Sequence, residues 1–256
     1  MFRNAVVRPP GPDFLRGITT SRLGPPVYEK ALAQHRAYCE ALERCGLSLT
    51  RLEPDPRHPD GTFVEDAAIV TPGVAVLTRP GSETRRGEVA SVEAALARFY
   101  PKLERIVPPG TLDGGDVCDA GDRFFIGLSE RTNEPGARQL AAFLEEEGRR
   151  CTLVDIRGTP GILHLKSGLA FLGEGRLAVI EALAEREDFR GFEILRIAPG
   201  EEYAANCVRV NDALLVAAGF PQTEQRLRRM GCSVVPLEVS EFQKMDGGLS
   251  CISLRF

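Results

Sequence analysis

Two side chains in this sequence, Cys251 and His164, could together perform covalent catalysis. A cysteine thiolate is a strong nucleophile, and an imidazole can protonate a leaving group and then activate water. Three carboxylates, Glu65, Asp66 and Asp113, are candidates for the same site. Carboxylates do not suit the oxyanion of acyl transfer, but they match the N–H groups of a planar, cationic guanidinium. If these residues meet, they favour attack of a thiolate on a guanidinium carbon.

Each of these residues also has an ordinary structural interpretation. Cys251 lies in the apolar C-terminal segment CISLRF, where a buried core cysteine is common. His164 lies between apolar neighbours and could be a structural histidine. Asp113 begins the segment DGGD, which is typical of a tight turn, and Asp66 could cap a helix or form an ion pair. A shared site therefore depends on the elements that position them.

A recurring order of elements could bring these residues together. Strand, turn, strand, helix and strand follow one another in copies that begin at Asp66, Asp113, His164 and Asn206. The copies are spaced at similar intervals. In the first copy the helix has Val89, Val92, Leu96 and Phe99 on one face, and in the second it follows a cap at Thr132 or Asn133. The third copy predicts only a weak helix, and the fourth predicts one over 222–230.

A fifth copy forms only when the two ends of the chain are joined. CISLRF supplies its first strand, FRNAVVR its second, residues 27–45 its helix and LSLTRL its last strand. The sequence therefore predicts an α/β fold, a closed propeller of five ββαβ units with pseudo-fivefold symmetry, and one catalytic domain over residues 1–256. In such a ring the first residue of every unit lies near the axis, so Asp66, Asp113, His164, Asn206 and Cys251 would meet.

The composition excludes several other classes of protein. The 256 residues are 43% hydrophobic and 27% charged with a net charge of −4, which argues against a nucleic-acid or membrane partner. The seven cysteines include no CxxC pair, so neither a disulfide framework nor a zinc site is indicated. No stretch is apolar enough for a secretion signal or a membrane span, and a cytoplasmic location is expected.

The remaining histidines and several arginines have less specific patterns. His35 and Cys39 share the apolar face of the first helix and are expected in the core, while His58 is expected in a solvated loop. Arg85 and Arg131 follow second strands, where they could bind a carboxylate or simply face solvent.

Seven motifs resemble, in order and over the full length, the dimethylarginine dimethylaminohydrolase family. They are PDGTFVEDAAIV, RPGSETRRGEV, GTLDGGDV, GLSERTN, LHLKSGLA, AANCV and DGGLSCISLRF. The resemblance implies the fivefold pentein propeller. It also implies that Cys251 is the nucleophile, His164 the general acid and base, and Asp113 the third catalytic residue. Some bacterial members carry Glu where this chain has Asp113.

The resemblance further implies a set of substrate-binding residues. Asp66, with Glu65 beside it, would hold the guanidinium, and Asp60 and the backbone at Ile18 would contact the amino-acid end. Arg85 and Arg131 would bind the α-carboxylate. Ile18 stands where a leucine is usual in the family, which is a mild change.

The expected reaction converts N-methylated arginine to citrulline and methylamine or dimethylamine through an S-alkylthiouronium intermediate. The substrate is a small molecule, no metal or cofactor is expected, and a homodimer is possible. An arginine deiminase-like hydrolase is the alternative, although that family is usually longer. An amidinotransferase is disfavoured for the same reason, and a non-catalytic propeller binding protein remains a further alternative.

Overall fold

The computed structural model describes every residue from Met1 to Phe256 and contains five three-stranded sheets. The strands are β1 (Asn4–Val7), β2 (Ser48–Arg51), β3 (Ala68–Val70), β4 (Ala75–Leu77), β5 (Leu103–Arg105), β6 (Val117–Asp119), β7 (Arg123–Leu128), β8 (Arg150–Asp155), β9 (Leu169–Gly173), β10 (Arg176–Val179), β11 (Glu193–Arg196), β12 (Val208–Val210), β13 (Ala213–Ala217), β14 (Ser233–Leu237) and β15 (Leu254–Arg255). The helices are α1 (Tyr28–Arg44), α2 (Val89–Leu96), α3 (Glu134–Glu146), α4 (Leu165–Gly168), α5 (Pro221–Arg229) and α6 (Ser240–Gln243).

All five sheets share one topology. The middle strand pairs antiparallel with the preceding strand and parallel with the following one, as β4 does with β3 and β5. A parallel neighbour requires a crossover connection, which is the helical segment of each unit. The first strands of neighbouring units lie side by side, as β15 does with β3, β6 with β9, and β9 with β12. The predicted fold of five ββαβ units is confirmed.

The two ends of the chain share a sheet, in the order β15-β1-β2. Ala5 of β1 lies opposite Arg255 of β15 in antiparallel register, and β1 runs parallel to β2. The carbonyl of Phe256 accepts hydrogen bonds from the backbone N–H groups of Arg3 and Asn4, at 2.8 and 2.7 Å. The strand that follows Cys251 is therefore held by the N-terminal strand.

The crossover of the third unit differs from the helix predicted there. The chain forms two short 3-10 helices, Glu181–Leu183 and Glu187–Phe189, before β11. The buried residues of this segment, Leu183 and Phe189, are six positions apart, so they do not form the face of one α-helix. The connection instead folds as two turns that each bury one side chain.

Two details of the other crossovers refine the predictions. Asn133 is the N-cap of α3, because its Oδ1 accepts from the Gly136 N–H at 2.9 Å, whereas Thr132 is buried and its hydroxyl donates to Asp116. Helix α2 buries Val92 and Leu96 as predicted. Phe99 lies beyond its last residue, remains 39% exposed and packs edge-on against Phe256.

The core lies between the sheets and the helices that cover them. Middle strands are buried on both faces, and every residue of β4 is at most 1% exposed, which explains their continuous apolar sequences. His35 and Cys39 are buried in α1 as expected. His58 is half-buried, which corrects the expected solvated loop, since its imidazole packs against Gly87. None of the helices has the length and apolar character needed to cross a membrane.

Candidate active site

A short helical turn precedes the first strand in four of the five units. Glu65 and Asp66 lie in the 3-10 helix Val64–Ala67 before β3, and Asp113 caps the turn before β6. His164 is the N-cap residue of α4 before β9, and Asn206 ends the turn before β12. These turns occupy equivalent positions in their units, and they bring Asp66 and His164 to one cavity with Asp113 beside His164. This is why residues far apart in sequence meet.

One cavity contains most of the residues singled out from the sequence. Its wall is formed by Ile18, Asp60, Phe63, Asp66, Arg85, Arg131, Leu163, His164, Met245, Asp246, Gly247 and Cys251. Asp113 lies directly behind His164, with its Oδ2 at 3.2 Å from His164 Nε2, and is fully buried. Cys251 and His164, the two residues able to perform covalent chemistry, therefore face the same small space.

His164 is held among three buried carboxylates. Burial by itself would lower the pKa of His164, but Asp116, the hydrogen-bonded Asp113 and Asp66 together raise this pKa to about 9. The imidazole is therefore protonated at neutral pH and can act as a general acid.

Asp116 is a site residue that sequence reasoning treated only as part of a turn. Its Oδ1 accepts from the Leu165 N–H at 3.0 Å, and its Oδ2 accepts from the hydroxyls of Ser129 and Thr132 at 2.6 and 2.7 Å. Through Leu165 the carboxylate fixes the start of α4, which carries His164. The second acidic residue of DGGD was the available signal, but its burial could not be read from sequence.

Asp66 is an ionised carboxylate in the cavity wall. Burial opposes ionisation, yet Arg85, His164 and the Gly115 N–H lower the pKa of Asp66 to about 2. The N–H of Gly115 donates to Oδ1 at 2.8 Å, and the guanidinium of Arg85 donates to Oδ2 at 2.6 Å. Asp66 therefore already binds a guanidinium in this structure, that of Arg85.

Arg85 and Arg131 differ sharply in their surroundings. Arg85 is buried, and its guanidinium donates two hydrogen bonds to the carboxylate of Glu88, at 3.0 and 2.8 Å, in addition to its bond with Asp66. It is therefore not a solvated residue. The guanidinium of Arg131 is half-buried in the cavity wall and makes no hydrogen bond or ion pair with protein side chains. Arg131 is thus the cation that is free to bind an anion.

Glu65 is not part of the wall of this cavity, and its expected place beside the guanidinium stays a prediction. Its Oε1 accepts from Lys166 at 2.6 Å and from Arg255 at 3.0 Å, and its Oε2 accepts from the Ser250 hydroxyl at 2.7 Å. Glu65 faces a second, larger cavity together with Lys166 and Arg255. Lys166 was not singled out from the sequence, although it lies two residues after His164.

The segment around Ile18 closes one side of the cavity. The backbone N–H of Ile18 donates to both oxygens of Asp60 at 3.1 Å, and the Thr20 N–H donates to Asp246 at 2.5 Å. The side chain of Ile18 remains 40% exposed. The Asp60 carboxylate thus holds this segment and also faces the cavity.

Cys251 is a neutral thiol in this arrangement. Burial, together with the charges of Glu65 and Asp66, raises the pKa of Cys251 to about 12. Two interactions oppose this shift: the Gly248 N–H donates to Sγ at 3.4 Å, and the positive charge of Lys166 favours the thiolate. Thiolate formation at neutral pH therefore requires an additional positive charge in the cavity.

Asp66, Asp113 and His164 also have the geometry of a metal-ligand cluster. One ligand atom from each lies within 4.8 Å of the others. A metal needs a neutral imidazole, whereas His164 has a pKa of about 9, and Asp66 already accepts hydrogen bonds from Arg85 and Gly115. The cluster is therefore better suited to N–H donors than to a metal ion.

No family model matches the sequence. Individual relatives do match it over its whole length. The chain is 45% identical to the N(G),N(G)-dimethylarginine dimethylaminohydrolase of Pseudomonas aeruginosa, with 100% of both chains covered. It is 37% identical to the enzyme of the same name from Streptomyces coelicolor, over 99% of this chain and 96% of that one.

Solved structures give the same result. A cysteine-to-serine variant of the Pseudomonas aeruginosa enzyme in complex with citrulline superposes with a TM-score of 0.96 at 44% identity, covering 100% of both chains. A histidine-to-glycine variant of a dimethylarginine dimethylaminohydrolase, solved as an adduct with S-methyl-L-thiocitrulline, has the same TM-score, identity and coverage. The fold and the full-length identity agree, and the chain therefore belongs to the dimethylarginine dimethylaminohydrolase family.

Proposed function

We propose that residues 1–256 form a single catalytic unit that hydrolyses N-methylated arginine to citrulline and methylamine or dimethylamine. The observation that carries this proposal is the shared cavity of Cys251, His164 and Asp66, in which a thiol, an imidazolium and an ionised carboxylate face one another. Family membership supports it, because a related enzyme was solved with citrulline bound.

The protonation states determine the order of events. Before substrate binds, Cys251 is a thiol and His164 an imidazolium, since their pKa values are about 12 and about 9. A bound guanidinium adds positive charge beside Asp66, which lowers the pKa of Cys251 and releases the thiol proton to solvent. The thiolate then attacks the guanidinium carbon.

His164 supplies and recovers the remaining proton. As an imidazolium it protonates the departing amine, which leaves an S-alkylthiouronium on Cys251. The neutral imidazole then takes a proton from water, and the hydroxide attacks the same carbon. Collapse of this adduct breaks the C–S bond, and the hydroxyl proton passes to the Cys251 sulfur as citrulline is released. Asp113 and Asp116 stabilise the imidazolium at both stages because they lie behind it.

The amino-acid end of the substrate fits the other side of the cavity. Arg131 is free to bind the α-carboxylate, and Asp60 can accept from the α-ammonium group while it holds the Ile18 segment. The family resemblance implies that Arg85 also binds the substrate α-carboxylate. To do so, the Arg85 N–H group that now donates to Asp66 must leave it. The substrate guanidinium would then take the place of that donor.

A substrate panel tests the proposed function. Purified protein is incubated with arginine, monomethylarginine, asymmetric dimethylarginine and symmetric dimethylarginine, and citrulline is measured. We expect release from the monomethyl and asymmetric dimethyl substrates and none from a Cys251→Ser control. Preference for arginine would indicate a deiminase, and binding without turnover of any of the four would indicate a non-catalytic propeller.

The assembly and location of the protein stay predictions. A homodimer is one possible assembly, and light scattering coupled to size-exclusion chromatography measures it directly. The cytoplasmic location likewise rests on the reduced-cysteine pattern of the sequence, and all seven cysteines are free thiols in the structure.

A further inference from the structure

Asn206 occupies the innermost position of the fourth unit but has no part in the chemistry described above. Its counterparts in the other units, Asp66, Asp113, His164 and Cys251, all belong to the site. Asn206 is 7% exposed and does not line the cavity. A buried asparagine must satisfy both its donor and its acceptor atoms, so its partners indicate what it does.

The side-chain amide of Asn206 connects the segments that carry His164 and Cys251. Its Nδ2 donates to the carbonyl of Lys166 in α4 at 2.9 Å and to the Ser250 hydroxyl at 3.0 Å. Its Oδ1 accepts from the Ser250 N–H at 2.9 Å. One amide is thus bonded to the helix that follows His164 and, twice, to the residue that precedes Cys251.

These bonds complete a closed ring of polar contacts beneath the site. The Ser250 hydroxyl donates to Glu65 at 2.7 Å, and Glu65 accepts from the Lys166 ammonium at 2.6 Å. The backbone carbonyl of Lys166 accepts from Asn206, which closes the ring. The four members come from four different units. Movement of one is therefore resisted by the other three.

The turn that precedes Cys251 lies directly against this amide. A Cβ atom added to Gly248 would lie 2.4 Å from Asn206 Oδ1, so the turn approaches as closely as glycine allows. The same turn contains the Gly248 N–H that donates to Cys251 Sγ. A change at Asn206 would consequently alter the orientation of the one backbone donor that faces the sulfur.

We propose that Asn206 is a positioning residue, whose three hydrogen bonds fix the Cys251 turn relative to the helix of His164. The proposal concerns the same site as the proposed function and rests on it for the reaction affected. Asn206 acts only through Ser250 and Lys166 and touches no substrate. Asparagine suits this position because it donates and accepts at once, whereas aspartate could not donate and would add a negative charge beside the thiol.

Asn206→Ala and the isosteric Asn206→Asp test the proposal. We expect kcat to fall roughly 10- to 100-fold while KM changes by no more than about threefold, because misplaced reacting groups slow chemistry more than binding. The second readout is alkylation of Cys251 by iodoacetamide at pH 8.5, quantified on its peptide by mass spectrometry. This rate should fall about tenfold for each unit by which the thiol pKa rises. The loss should be larger for Asn206→Asp.

Asn211→Gly is the matched control. Asn211 also makes three side-chain hydrogen bonds, to the backbone of Phe2 and Cys45, and its φ of 55° is readily adopted by glycine. This variant should lower the melting temperature yet keep kcat and the Cys251 alkylation rate.

Two outcomes decide the matter. If the Asn206 variants lose melting temperature but match Asn211→Gly in kcat and alkylation, Asn206 only stabilises the fold and the proposal is overturned. If Asn206→Ala does not fold, the uncharged Asn206→Ser decides by the same criteria, because Asn206→Asp also adds a negative charge beside the thiol. Alkylation needs no substrate, so slow labelling in the variants would support positioning even if the wild-type protein hydrolysed none of the methylated arginines.

Discussion

At the scale of single residues, the site is arranged to generate its nucleophile only when a cation is present. The pKa of Cys251 is raised to about 12 by burial, Glu65 and Asp66, and the pKa of His164 is raised to about 9. A resting thiolate–imidazolium pair would instead require the thiol pKa to be lowered. The carboxylates therefore keep the thiol protonated until substrate binds, and they favour a positively charged substrate.

Asp66→Asn tests this charge selection. We expect the rate of Cys251 alkylation by cationic chloroacetamidine, relative to neutral chloroacetamide, to fall about 10- to 100-fold, because one charge-assisted contact is worth roughly 1.5–3 kcal/mol. Both rates are measured at pH 8.5 by mass spectrometry. Stability should also fall, by about 1–3 kcal/mol, since Arg85 loses its partner at 2.6 Å.

Glu88→Gln is the control for the loss of stability. Glu88 is the other carboxylate on Arg85, and it does not line the cavity. Burial raises the pKa of Glu88 to about 7, so at pH 8.5 it is ionised and the comparison is between two charged partners. Equal loss of cation preference in the two variants would show that Asp66 has no specific role in recognising a guanidinium.

At the scale of elements, short helical turns position the reactive groups. His164 begins α4, and the Leu165 N–H at the start of this helix is held by Asp116 at 3.0 Å. The same carboxylate contributes to the raised pKa of His164. The position and the charge of the imidazole thus depend on one buried residue of the neighbouring unit.

This arrangement predicts a loss of stability with rising pH. The pKa of His164 is about 9 in the folded protein and near 6.5 in the unfolded chain, so the folded state retains a proton that the unfolded state releases. The stabilisation is complete below pH 6.5 and is lost as pH rises through 9. Urea unfolding should show a decrease of about 2 kcal/mol between pH 7.0 and 8.5.

His164→Gln is the control for this pH dependence. It should remove about 2 kcal/mol of the decrease over the same interval, and the smaller slope that remains belongs to other groups with raised pKa values, such as Glu88 and the buried cysteines. Asp116→Asn should reduce the slope, because the imidazolium would lose one of its stabilising charges. An unchanged slope in His164→Gln would assign the effect to another group.

At the scale of the whole molecule, the ring is closed by pairing of the two chain ends. β1 is the middle strand of the sheet β15-β1-β2, and Phe256 bonds to Arg3 and Asn4. The strand after Cys251 therefore depends on a segment at the opposite end of the sequence. We therefore expect strand pairing to hold the two ends together, so that the fold does not depend on where along the ring the backbone is interrupted.

A circular permutant tests this view. Joining Phe256 to Met1 through a short glycine–serine linker and opening the chain at the exposed Gly148, between α3 and β8, should preserve the fold and citrulline release. Deletion of residues 1–7 should abolish both, because it removes the middle strand beside β15. Circular dichroism and the citrulline assay measure the two effects. An active deletion variant would show that β1 is dispensable.

The sequence by itself determined the repeat, the split fifth unit and the inward position of Asp66, Asp113, His164 and Cys251. These features follow from the periodicity of apolar residues and turns, which is a local property of the chain. The same local reasoning predicted the core position of His35 and failed in the third crossover, where Leu183 and Phe189 lack helical spacing.

Only the tertiary structure decided how the polar groups are paired. Arg85 and Arg131 are both arginines that follow second strands, yet one is buried between Asp66 and Glu88 and the other is free. Glu65 and Asp66 are adjacent but face different cavities. Ion pairs and pKa shifts depend on distance and burial between units that are remote in sequence, and these quantities exist only once the ring has closed.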